Sequence, residues 1–176
     1  TYSFYDGDVA YASPYNGSNP TPGNPSSVVS HGATNETTLS AAFDAWDATV
    51  DFEFVEVEED AGEVGEFRVA FTDQSSGAAA FAYAPGDYAV NGDIWFETED
   101  IDITGNDFST DGVGSGGFNY FAALHEIGHA VGLSHPFDAG DDQSNGDDSL
   151  PLAQDSMRNS VMGYVQLDQN MVLKFN

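Results

Sequence analysis

An α+β fold is predicted by three features of the sequence: a helical apolar stripe over 39–50, a series of strand-like runs between 51 and 97, and a second helical stripe over 118–131. Helix, strands, helix and an irregular tail follow one another without a repeat of 20 to 50 residues.

Residues 1–11 read as an opening strand with Tyr2, Phe4, Val9 and Tyr11 as apolar positions. Residues 12–37 are rich in Ser, Pro, Asn and Gly and predict a long surface loop. Leu39, Phe43, Trp46 and Val50 then share one helical face, with Thr37 or Thr38 as the cap. The runs DFEFVEV (51–57), EFRVAFT (66–72), AAFAY (79–83) and GDIWFE (92–97) predict four strands, the second alternating through Phe67, Val69 and Phe71. A Gly-, Asp- and Ser-rich connection over 105–117 leads to the second helix, with Phe118, Phe121, Leu124, Ile127, Gly128 and Val131 at three- and four-residue spacing. Past Pro136 lie an acidic loop, 138–148, and a short apolar MVLKF stretch.

At 176 residues the chain suits one domain, 1–176, large enough to bury a core, whether whole or a piece of a longer secreted chain. The 30 Asp and Glu against 3 Lys and Arg leave a net charge of −27. Three cations cannot displace counterions from a nucleic acid, and the same repulsion argues against anionic membrane surfaces. No apolar run is long enough to span a bilayer, so membrane insertion is not expected. Residues 1–12 have neither the cationic start nor the apolar stretch of an export signal, so an export address would be removed or lie elsewhere. The 13 Phe, 8 Tyr and 2 Trp argue for a folded protein, and the charge for one adapted to salt or bound cations.

Residues 125–135 read HEIGHAVGLSH. On a helix, His125 and His129 project from one face one turn apart, a spacing that lets two imidazoles reach one Zn²⁺. Glu126 is rotated off that pair, within reach of a water on the metal. Gly132 stops the helix by entering a left-handed conformation, and the reversed chain returns His135 as third ligand before Pro136. Three protein ligands leave a fourth position open, the pattern of a catalytic rather than a structural zinc.

His125, Glu126, His129, Gly132 and His135 together resemble the long signature of the metzincin clan of zinc endopeptidases. Within it the chain is similar to the serralysins: the motif continues as LSHP (133–136), QDSMRNSVMGY (154–164) resembles the segment around the Met-turn, and TYSF (1–4) with FEFVEV (52–57) resembles the N-terminal part. The preceding APG and GDIWFE are similar to the matrixins, the sibling family. The resemblance implies a mixed twisted sheet of about five strands with an N-terminal helix, an active-site helix and an irregular part after the Met-turn. It implies His125, His129 and His135 as ligands of one catalytic zinc and Glu126 as general base, then acid. Met162 is implied as the hydrophobic floor and Tyr164 as a residue that approaches the metal and then the oxyanion. Gly163 stands where serralysins usually have serine, and no Gly-Asp repeat follows the Met-turn. With only His31 left over, a second zinc is not expected.

These readings predict a secreted, monomeric zinc endopeptidase whose protein or peptide substrates lie extended along a sheet edge. GDIWFE (92–97) is one candidate for that edge, an interior strand with Trp95 in the core being the other reading. Calcium stays open: Asp107–Gly112 and Asp141–Gly146 begin like EF-hand loops, but neither ends in the required Glu. The competing function is a non-catalytic, zinc-bearing binding or surface module with the same fold. The presence of Glu126 favours catalysis, because a module that only holds metal has no need of a base.

Overall fold

The computed structural model describes residues 1–5, 28–29, 32–60, 63–72, 78–97, 118–136 and 159–163. The chain divides into two compact units, Thr1–Gly132 and Leu133–Asn176.

The first unit holds strands β1 (Tyr2–Phe4), β2 (Val28–Val29), β3 (Phe67–Thr72), β4 (Ala80–Ala82) and β5 (Ile94–Glu97), with helices α1 (Gly32–Asp47) and α2 (Phe118–Ala130). The mixed, five-stranded sheet runs β1-β3-β5-β4, and β2 also pairs β3. β1 and β5 flank β3 in parallel, while β4 runs antiparallel to β5. β1 meets β3 at 67–69 and β2 meets it at 71–72, so the two short strands share one side of β3 end to end.

Strand alternation sorts the side chains into two layers. Tyr2, Phe4, Val69, Phe71, Ile94 and Phe96 face Leu39, Ala42 and Phe43 of α1 and Ala122, Ala123, Ile127 and Ala130 of α2. Both helices therefore cover one face of the sheet. On the other face Ala70 and Trp95 are buried under Val28, Phe81 and Tyr83, with the Trp95 and Phe81 rings stacked 6.3 Å apart. All four residues of β5 are buried. That double coverage decides the open question about GDIWFE: β5 is interior, and among the described residues the sheet edge beside it is β4. A run without polar alternation suits a strand covered on both faces, as in parallel sheets.

Two further expectations change. α1 begins at Gly32, well before Thr37, because Asn35 and Thr38 turn inward and are buried where their polarity suggested loop and cap. Residues 51–57 form no strand; only Glu56 bridges Tyr2, held by bonds from Tyr2 N to Val55 O (2.9 Å) and from Val57 N to Tyr2 O (2.9 Å). The segment leaves α1 through Asp47, whose Oδ1 accepts from Phe54 N at 2.8 Å, and Phe52 and Val55 remain exposed.

β1 is fastened from both sides. The Tyr2 ring stacks on Phe43 at 4.0 Å, and its hydroxyl donates to Glu56 Oε2 (3.0 Å), which also accepts from Ser40 Oγ (3.1 Å). Burial pushes the Tyr2 hydroxyl pKa up to about 12. Beneath the other sheet face lies a buried ion pair. Arg68 donates from Nε to Glu59 Oε1 (2.7 Å) and from Nη2 to Oε2, and Ser3 Oγ donates to Oε1 (2.8 Å). The guanidinium also sits 5.6 Å from the Tyr5 ring centroid.

Candidate metal centre

The good helix formers Ala122, Ala123 and Ala130 lie with Ile127 on the buried stripe of α2, and that face fixes which side chains point inward. His125 and Glu126 are buried, and His129 is half-buried one turn on. The Nε2 atoms of His125 and His129 face each other at 3.1 Å, with the ring planes at 82°. Two ligand nitrogens on a tetrahedral zinc, each about 2.0–2.1 Å from it, stand about 3.3 Å apart. The spacing is that of a chelating pair.

The helix closes with Val131 N donating to Ile127 O (3.0 Å) and Gly132 N to His129 O (2.9 Å). Gly132 has φ +102°, a conformation that side chains rarely adopt. A Cβ there would meet Pro85 Cγ at 3.5 Å, ordinary contact, so the demand on this position is torsional rather than spatial. The chain turns at once, and ligand atoms of His125, His129 and His135 lie within 4.8 Å of one another. These are the three histidines of the 125–135 motif.

Glu126 provides a second observation that fits a cation site. Its side chain is 5% exposed, and Oε2 has no hydrogen-bond partner among the described residues. Burial pushes its pKa up to about 8. A buried, unpartnered carboxylate is costly and calls for an explanation. A divalent cation beside it supplies one, by favouring the charged form. The donor set, three imidazoles and no thiolate, suits Zn²⁺ and fits it.

Met162 is buried in a turn of the second unit, with Met162 N bonded to Ser160 Oγ and Gly163 N to Ser160 O, both at 3.1 Å. Tyr164, His31 and the two candidate calcium loops at 107–112 and 141–146 lie outside the described residues. Sequence reading missed one contact to α2: Trp46 Nε1 donates to Leu124 O at 3.0 Å, the carbonyl just before His125. Nothing in the periodicity distinguishes that tryptophan from an ordinary core residue.

The family profile of the matrixins matches residues 24–141, about two thirds of the chain. Serralysin B of Dickeya chrysanthemi is 37% identical over 91 residues, covering 51% of this chain and 18% of that protein. The serralysin of Photorhabdus luminescens is 33% identical over 142 residues, covering 75% of this chain and 27% of its own length. Human matrix metalloproteinase-25 is 32% identical over 108 residues, covering 55% and 18%. The matches span less than a third of these relatives. Two subfamilies meet in one chain, and with the profile over most of its length it belongs to the matrixin peptidase family, as a metzincin catalytic domain.

Proposed function

We propose that residues 1–176 form the catalytic domain of a secreted zinc-dependent endopeptidase. The observation that carries this reading is Glu126, a buried carboxylate whose Oε2 has no partner among the described residues, on the same helix turn as the converging imidazoles. His125, His129 and His135 would hold the metal. Zinc bound there supplies Lewis acidity and lowers the pKa of water to about 7. Glu126 Oε2 takes a proton from the attacking water and returns it to the leaving amine. Met162 forms the floor and Tyr164 hydrogen-bonds the oxyanion in this reading, on the strength of their place in the resemblance. The charge of −27, which calls for screening salt or cations, supports the cell exterior as its compartment.

β4 is where an extended substrate would pair. Tyr83 N donates to Asp93 O and Glu97 N to Ala79 O, so the odd-numbered residues bond β5. The antiparallel ladder then turns the N–H and C=O of Ala80 and Ala82 away from β5. Ala82→Pro removes one outward donor without touching that ladder, a replacement an edge strand tolerates. Its expected result is a KM for peptide substrates raised about tenfold with zinc content unchanged, the size of one lost hydrogen bond. An unchanged KM would move the substrate elsewhere.

The test of function is hydrolysis of a generic protein substrate by protein carrying one zinc per chain. Activity is expected to vanish with a chelator and return with zinc. Zinc-loaded protein that cleaves nothing in a broad peptide library would favour the non-catalytic module.

A further inference from the structure

We propose that Trp46 is a positioning residue for the metal-holding helix, setting the rotation of α2 through a hydrogen bond to the carbonyl of Leu124; this rests on the zinc reading above. Two side chain to backbone contacts join α1 and α2 in opposite directions. Trp46 Nε1 of α1 donates to Leu124 O of α2 at 3.0 Å, and Tyr120 Oη of α2 makes a longer contact, 3.5 Å, to Ala41 O of α1. Residues 120 and 124 stand one turn apart on the same face of α2, about 6 Å along its axis. The Trp46 bond is the shorter and stronger of the two and restrains the rotation of the helix against its neighbour.

The ligand pair occupies the next stripe round. His125 follows Leu124 by one residue, a rotation of about 100°, and His129 lies one turn further. A ring nitrogen about 6 Å from the helix axis moves about 1 Å for each 10° of helix rotation, which is at the tolerance of a preorganised site. Apolar packing is not directional, whereas a hydrogen bond fixes an angle: Leu39, Ala42 and Phe43 of one helix and Ala122, Ala123, Ile127 and Ala130 of the other share one buried cluster. The indole also has a directional need of its own, since a half-buried N–H seeks an acceptor. Leu124 O already serves the helix ladder at Gly128 and offers its second lone pair to the indole.

The test compares wild type with protein carrying benzothienylalanine at 46, which keeps the ring and replaces the N–H by sulfur, and with Trp46→Phe. Phe54→Leu is the stability control, a core change at a ring that packs on Phe43 and Phe67 and leaves the Trp46 bond in place. Zinc affinity is read by competition with a chromophoric chelator, site geometry by the visible absorption of the Co²⁺-substituted protein, and stability by melting without metal. The expected result for both replacements at 46 is a zinc Kd raised about tenfold with an altered cobalt spectrum, in the range of lost outer-shell bonds. Phe54→Leu lowers the melting temperature and leaves Kd and spectrum unchanged. Benzothienylalanine protein with wild-type Kd and spectrum overturns the role of Trp46 while leaving the zinc site standing. Wild-type protein that takes up no zinc overturns the underlying reading, and this inference with it.

Discussion

Glu126→Gln is expected to lower peptide hydrolysis by about 10³-fold, within the usual range for a lost general base, while zinc content stays at one per chain. Glutamine keeps the shape of the side chain and removes its ability to accept and return a proton. The three imidazoles are untouched, so metal uptake is retained. Stability moves the other way. Wild-type Glu126 places a carboxyl 5% exposed with an unpartnered Oε2 inside the fold, and a neutral amide is cheaper to bury than a carboxylate. Metal-free Glu126→Gln protein therefore melts no lower than metal-free wild type. Activity and melting measured on the same preparations check both halves. Turnover that survives the substitution removes Glu126 from the mechanism. A collapse in melting temperature would instead make it a structural residue.

The largest expected loss of stability lies across the sheet from the metal, at Arg68 and Glu59. Their side chains are 8% and 0% exposed, so removing either leaves a buried charge without its counterion. Glu59→Gln or Arg68→Met alone is expected to cost about 3–5 kcal/mol. For a chain of this length that is a fall in melting temperature of roughly 10 °C. Replacing both by Met is expected to recover much of the loss, because the desolvation penalty disappears with the pair. Ser3 Oγ and the Gly65 N–H that donates to it at 2.9 Å stay behind as polar partners of each other. Single variants that melt within about 2 °C of wild type would mean that the pair is weakly coupled to the fold. The double variant separates the attraction between the charges from the cost of burying them.

Local pattern was enough for the elements that mattered most. Phe67, Val69 and Phe71 alternate because β3 has one face under the helices, and the His125–His129 spacing requires the helix that is there. Strand order is another matter. Which neighbour β5 takes is fixed by Val69–Thr72 on one side and Ala80–Ala82 on the other, pairings with separate segments that leave no mark on GDIWFE. The early start of α1 was hidden by Asn35 and Thr38, polar residues that read as loop until their burial is seen. The lost strand at 51–57 had the right composition, but one bridge to Tyr2 is all the pairing it finds. Arg68 did leave a signal. A cation between Phe67 and Val69 in a strand with two covered faces demands a buried acid, although the sequence does not say that Glu59 supplies it.

Gly132 has a consequence for protein chemistry. Its φ of +102° belongs to the mirror-image half of backbone space, while Pro85 leaves room for a methyl group. What the position selects is handedness rather than size. A D-alanine introduced there by peptide ligation would match this torsion and stiffen the reversal between the two halves of the histidine motif, whereas its L-enantiomer, with the same atoms, would strain it.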